Sequence, residues 1–318
     1  MYYIGIDLGG TNIAGGVVSE DHKIIYKKSV RTGADRGPDA VAKDIAALIS
    51  ALTEEAGLTP QDIAAAGIAS PGAINGAEGV VERACNLYME GYPLSQKVKE
   101  NLPCPELPVT LENDANAAAL GEAVAGAAKG SRFSVMITLG TGVGGGIVLE
   151  GKVYSGFNFA GGEFGHMVIE HGGRPCNCGR RGCWEAYSSA TALIEMTKER
   201  MAQPGGETLR RLAEEYGKVS AKTAFVAKRA GDPAGDELVK QYIDYLACGI
   251  SNVINLLSPD IITIGGGICN EGDALLRPLT EKVYSEIFTK NYDMKTEIRI
   301  AALGNDAGII GAAVAGKK

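Results

Sequence analysis

The sequence predicts an α/β protein made of two similar halves. Short apolar runs bounded by glycine turns alternate with stretches whose apolar residues recur every three or four positions. A strand, a Gly/Thr turn and another strand open the chain at Tyr2–Leu8 and Ile13–Ser19. The same device returns at Phe133–Leu139 and Ile147–Leu149. The two copies are too far apart for a solenoid period and fit a duplicated domain, each half offering one glycine hairpin to a common ligand.

At 318 residues the chain is long enough for two domains with proper cores. Hydrophobic content of 45% and charge of 22% are ordinary for a soluble globular protein. A net charge of −7 argues against a general nucleic-acid or membrane-surface role. The opening MYYIGIDLGG has no basic region and no long apolar run, so neither a signal peptide nor a membrane span is expected. Seven cysteines is an odd number, and three are clustered, which fits reduced cytoplasmic thiols better than a disulfide framework.

The first strand, Tyr2–Leu8, runs into Gly9-Gly10-Thr11-Asn12. Adjacent glycines let a backbone approach an anion, although a plain hairpin turn has the same composition. After a third strand, Lys23–Arg31, Pro38–Ala56 reads as a helix with Val41, Ile45, Leu48, Ile49 and Leu52 on one face. A buried strand, Ala64–Ala69, leads to a turn at Ser70-Pro71-Gly72. Ala73–Pro108 reads as loop-rich apart from a helix near Leu94–Asn101. The strand Leu107–Leu111 runs into Glu112-Asn113-Asp114 and an Ala-rich helix, Ala115–Ala127. Asp114 is there either an N-cap or a carboxylate held at the helix start for chemistry.

The second glycine turn, Gly140-Thr141-Gly142-Val143-Gly144, leads into a strand, which excludes a dinucleotide-binding fingerprint. No Walker A motif is present. Further on, His166, Cys176, Cys178 and Cys183 offer one imidazole and three thiolates, a closed tetrahedral zinc set. A Cys-rich polar turn is the alternative. Glu163 and Glu185 flank this stretch. Tyr187–Met201 continues as helix from Glu185, two shorter helices follow, and a long one spans about Ala234–Leu257. The strand Ile261–Ile264 ends in Gly265-Gly266-Gly267, followed by a helix over Asp273–Phe288. That junction suits either a nucleoside contact or close helix-on-strand packing. Glu297–Ala302 reads as a last strand and Ala307–Ala315 as a last helix.

The stretches DLGGTN (from Asp7), ENDAN (from Glu112), LGTGVGGGI (from Leu139), GGEFGH (from Gly161), CNCGRRGCWE (from Cys176) and IGGGI (from Ile264) together resemble the ROK sugar kinases, over nearly the whole chain. Within that family the sequence is most similar to bacterial glucokinases. The resemblance implies the two-domain actin/hexokinase/Hsp70-like ATPase fold, with duplicated ribonuclease-H-like domains. The small domain is expected at 1–112 with the C-terminal helix 306–318, and the large one at 113–305. The implied activity is ATP-dependent phosphorylation of the C6 hydroxyl of glucose, with domains that close on the sugar and exclude water. Asp114 matches the general base. Asn113, Glu163, His166 and Glu185 match sugar-binding residues, with Gly72 and Asn86 as further sugar contacts. Gly9, Gly10, Thr11, Asn12, Gly140, Thr141, Gly142 and Gly144 would line the ATP phosphates. Asp7 would hold Mg2+ through water, and Gly265, Gly266 and Gly267 would border the adenosine. His166, Cys176, Cys178 and Cys183 would hold a structural Zn2+. A homodimer is implied, with no nucleic-acid or membrane partner. The rival readings are a kinase for N-acetylmannosamine, N-acetylglucosamine, fructose or allose, and a sugar-responsive regulator without a DNA-binding domain.

Overall fold

A computed structural model describes residues 1–317. The chain forms two compact units: 1–136 with 146–162 and 301–318, and 137–145 with 163–300.

The first sheet begins with a meander, β1 (Tyr2–Leu8), β2 (Asn12–Ser19) and β3 (Ile24–Arg31). Helix α1 (Pro38–Glu55) follows, started by Pro38 at its first position. Its predicted apolar stripe is buried. β4 (Ile63–Ser70) pairs parallel with β1. The segment expected to be loop holds a three-stranded antiparallel sheet instead: β5 (Ala73–Asn75), β6 (Val80–Ala84) and β7 (Met89–Tyr92). These strands are too short to show an alternation, and their pairing is what makes them visible. Helix α2 (Leu94–Glu100) and strand β8 (Val109–Asn113) lead to α3 (Asp114–Ala125).

The second sheet repeats the device with β9 (Phe133–Leu139), β10 (Val143–Leu149) and a two-residue β11 (Lys152–Val153). The expected single helix after Glu185 is two, α4 (Glu185–Ser188) and α5 (Ala190–Met201). Ser189 is extended between them and caps α5 by accepting the Ala192 N–H at 3.0 Å. Then come α6 (Glu207–Glu215), α7 (Ala221–Arg229) and α8 (Pro233–Leu257), the last capped by Asp232. β12 (Ile261–Gly265), α9 (Asp273–Glu286), β13 (Glu297–Ile300) and α10 (Asp306–Ala315) complete the chain.

The first sheet has the order β3-β2-β1-β4-β8, and the second β11-β10-β9-β12-β13. Numbered from the first strand of each half, both read 3-2-1-4-5. The duplication expected from the two glycine hairpins is therefore a duplication of topology. Together with the helices it makes the chain an α/β protein of the actin/hexokinase-like ATPase fold.

In the first unit, α10 crosses β1 and β4 at glycines. A Cβ on Gly5 would lie 1.8 Å from the Ile309 carbonyl oxygen, and one on Gly67 1.8 Å from that of Ala312. α3 meets α10 in the same way, because a Cβ on Gly311 would lie 1.6 Å from the Ala117 oxygen. No side chain fits in these contacts, so backbone packs on backbone. Glu122, fully buried on α3, accepts N–H groups from Ala127 (2.7 Å), Ala302 (3.1 Å) and Leu303 (2.8 Å). It ties the end of α3 to the segment that leads into α10. No helix among the described residues is long and apolar enough to cross a membrane.

Candidate active site

In the first unit, the turn from β1 to β2 is closed by the Gly9 N–H donating to the Asn12 oxygen at 2.9 Å. Gly10, Thr11 and Asn12 are exposed. A Cβ on Gly10 would lie 3.2 Å from Asn86 Nδ2, so Asn86 rests against the turn. Gly10, Thr11 and Asn86 share the lining of a cavity of about 940 Å³ with Arg31 and Arg36. Behind the turn, buried Thr32 donates its hydroxyl to the Gly9 oxygen at 2.6 Å and its N–H to the Thr11 oxygen at 2.9 Å. Asp7 sits half-buried at the end of β1, against Gly308 at the start of α10. Burial first, and the charge of Asp114 second, push its carboxyl up to about 6.

β8 delivers Glu112, Asn113 and Asp114 to the start of α3. The cap belongs to Asn113, not to Asp114. Asn113 Oδ1 accepts the N–H groups of Ala115 (2.9 Å) and Asn116 (3.1 Å), and its Nδ2 donates to the Gly72 oxygen at 3.1 Å. Gly72 has φ 100°, and a Cβ there would lie 2.1 Å from the Arg83 oxygen, so this turn requires glycine. Asp114 is the first residue of α3 and accepts the Ala115 N–H at 2.8 Å. Its side chain is reached by solvent yet crowded by protein atoms, and the lost hydration raises its carboxyl above the usual range. Hydrogen bonds from Ala115 and Asn113 partly oppose that rise. Glu112 had no assigned role in the sequence reading. Its Oε1 accepts the Asn113 N–H at 2.9 Å and the Asn116 side-chain N–H at 3.1 Å, so it braces the same helix start.

In the second unit, Gly140 and Thr141 are exposed, and the Gly140 N–H donates to the Gly142 oxygen at 3.0 Å. Glu185 reaches this turn: its Oε2 accepts the Val143 N–H at 3.0 Å. A Cβ on Gly142 would lie 2.0 Å from that same oxygen. Gly144 lies within β10. The single 3-10 turn Phe164–His166 packs on the start of β10, where a Cβ on Gly165 would lie 2.1 Å from the Val143 oxygen. Glu163 precedes that turn and is exposed. The structure thus gathers Glu185, His166 and the second glycine turn into one packed group.

The four predicted metal ligands also converge. One donor atom from each of His166, Cys176, Cys178 and Cys183 lies within 4.8 Å of every other. Cys176 Sγ is 3.7 Å from His166 Nδ1, and Cys178 Sγ is 3.7 Å from Cys183 Sγ. A tetrahedron with metal–sulfur bonds of about 2.3 Å has edges of about 3.8 Å, so these atoms fit a four-coordinate cation. The seven cysteines are free thiols. Burial raises the Cys183 and Cys176 thiols, whereas the backbone N–H of Arg180 lowers Cys178. Bridges Val168↔Cys183 and Pro175↔Arg181 hold the loop's two sides together. Trp184 anchors it below, fully buried, with its indole N–H donating to the Tyr245 oxygen at 3.0 Å. α8 makes room with Gly249, where a Cβ would lie 2.0 Å from the indole. Cys176 Sγ lies 3.8 Å from Glu185 Oε1, which joins the metal cluster to the glycine turn through one carboxylate.

Gly265 ends β12, and Gly266 (φ 108°) packs on the end of β9, where a Cβ would lie 2.1 Å from the Leu139 oxygen. Gly267 opens a 3-10 turn, Gly267–Glu271, and α9 begins only at Asp273. The glycines therefore adjoin a 3-10 turn and not the start of the helix. Gly266 and Gly267 remain exposed.

A profile of the ROK family matches residues 3–318. The chain is 38% identical over 314 residues to a glucokinase of Thermotoga maritima, covering 98% of this chain and 95% of that protein. It is 37% identical over 311 residues to a glucokinase of Halalkalibacterium halodurans, covering 98% of this chain and 93% of that protein. A ROK family glucokinase from Streptomyces griseus, crystallised with glucose and AMPPNP, superposes with a TM-score of 0.80 at 32% identity. That match covers 100% of this chain and 99% of the other.

Proposed function

Because the chain belongs to the ROK family, we propose that it is an ATP-dependent hexose kinase that phosphorylates the C6 hydroxyl of glucose, with Asp114 as general base. The observation that carries the role of Asp114 is the cap of α3. Asn113 takes the cap, so the Asp114 carboxylate is not needed for it. Asp114 instead sits at the positive end of the helix with a raised pKa, closer to the operating pH than an ordinary carboxylate. Phosphoryl transfer to a hydroxyl asks a carboxylate to take the hydroxyl proton while the phosphoryl group moves in line.

The Gly9–Asn12 turn and the Gly140–Gly144 turn each suit ATP phosphates. Glu163, His166 and Glu185 offer acceptors and donors for sugar hydroxyls. Gly72 and Asn86 add further sugar contacts, and Gly265–Gly267 border the adenosine. Asp7 and Asp114 repel each other, and a Mg2+ held through water at Asp7 fits that excess of negative charge. When bound, the ion neutralises charge on the phosphates. The thiolate and imidazole cluster would hold Zn2+ as a closed structural site, keeping His166 and Glu185 in place.

The test is ADP release from MgATP against glucose, mannose, fructose, N-acetylglucosamine and N-acetylmannosamine. Glucose is expected to be preferred. Asp114→Asn should lose about 10²- to 10⁴-fold in kcat while glucose affinity stays within a few-fold. Preference for an N-acetyl sugar would change only the substrate. Absence of turnover on every sugar by folded, metal-loaded protein would sink the kinase reading.

A further inference from the structure

We infer that Thr32 is a positioning residue that aims the Gly10 backbone N–H of the Gly9–Asn12 turn at the ATP phosphates; the inference rests on the kinase reading above. Thr32 follows β3 and is fully buried, so water does not compete for its hydrogen bonds. Its two donors take two carbonyls of the turn, Gly9 through the hydroxyl at 2.6 Å and Thr11 through the backbone at 2.9 Å. A trans peptide is planar, and its C=O and N–H point in opposite directions. With the Gly9 carbonyl drawn toward Thr32, the Gly10 N–H of the same peptide must point away from it. With the Thr11 carbonyl drawn the same way, the Asn12 N–H must also point away.

Among the described residues, neither Gly10 nor Thr11 donates its N–H to a protein acceptor. The Gly10 N–H is thus both turned away by Thr32 and left by the protein for an anion, and Thr32 sets its direction before the anion arrives. Thr32 is itself held from behind. Arg36 Nη2 donates to the Thr32 oxygen at 2.9 Å, and the same guanidinium pairs with Asp44 on α1. A line of contacts therefore runs from α1 through Arg36 and Thr32 to the turn, all within one unit.

The variants that isolate this role are Thr32→Val, which keeps the shape but removes the hydroxyl, and Thr32→Ser, which keeps the hydroxyl. The readouts are KM for MgATP, kcat, and glucose affinity by calorimetry, with circular dichroism to confirm folding. Thr32→Val should raise KM for MgATP about tenfold, the worth of one hydrogen bond, and leave glucose affinity within about twofold. Thr32→Ser should restore the wild-type KM. An unchanged KM for MgATP in Thr32→Val, in an enzyme whose wild type turns over, would overturn the inference and leave the kinase reading standing. Parallel loss of ATP and glucose affinity that Thr32→Ser fails to rescue would also overturn it, since that pattern marks a general packing role. A wild type that neither binds nor consumes MgATP would remove both. Should Thr32→Val fail to fold, Arg36→Gln, which releases Thr32 from behind, must raise KM for MgATP without changing glucose affinity, or the inference falls.

Discussion

Replacing Glu122 tests whether the far end of α3 is held by one carboxylate. The side chain is fully buried and accepts three backbone N–H groups, from Ala127, Ala302 and Leu303. A hydrogen bond to a charged group contributes about 1.5–3 kcal/mol. Three of them would sum to roughly 4–9 kcal/mol if fully additive and fully dry. They are neither, because Ala302 is exposed and water can replace part of what it loses. Glu122→Ala should therefore cost about 3–5 kcal/mol. Glu122→Gln keeps the volume but offers one acceptor oxygen where the carboxylate offers two. Whichever way the amide is turned, its NH2 faces at least one backbone N–H, and about 1–3 kcal/mol should be lost. Urea denaturation of both variants and the wild type measures this, with the order wild type, Gln, Ala in falling midpoint. A Glu122→Gln midpoint equal to that of the wild type would refute the reasoning. It would mean that the three contacts do not draw on the second oxygen.

Two other outcomes follow from the sites described. Cys183→Ser should abolish a stoichiometric zinc signal in elemental analysis and lower the thermal midpoint; fresh wild-type protein without zinc would end the structural-zinc proposal. Asp7 gives a pH-dependent result. Its folded pKa of about 6 lies above the ordinary 3.8, so the neutral form favours folding. That contribution is complete below the unfolded value and is lost as pH rises through about 6, a difference of about 3 kcal/mol. In ligand-free protein, Asp7→Asn should be more stable than wild type at about pH 7.5, and the gap should close toward about pH 4. A gap that is the same at both pH values would contradict the burial and charge argument.

Much of this architecture could be read from the chain because its signals are local. β1, β4 and β9 are apolar runs between glycines, and α1 and α8 carry full helical stripes. The His/Cys set was legible from residue chemistry alone, since few other arrangements need three thiols and an imidazole so close together. What escaped the reading depends on distant partners or on a choice between neighbours. Strands β5–β7 are short and mixed in polarity, so only their pairing reveals them. Asn113 and Asp114 are both good caps, and the choice falls to Asn113 because β8 extends through it, leaving it at ψ 146°. Ser189 carries an N-cap signal, but it stands in a run of helix-compatible residues that masks the break. Glu122 and Thr32 act on carbonyls and amides whose nearness the chain order does not announce; Glu122 reaches Leu303, 181 positions away.

The seating of α10 has a consequence for synthesis. The first unit includes 301–317 as well as 1–136, and its last helix lies directly on β1 and β4 at Gly5 and Gly67. These notches are shaped for a backbone, and the backbone that fills them is that of α10. The first sheet therefore keeps its glycine face uncovered until α10 has been made. Contacts of such long sequence separation make closure slow and leave that face open to mispairing in the interval. Removal of α10 would leave the first unit without its cover at any stage of its life.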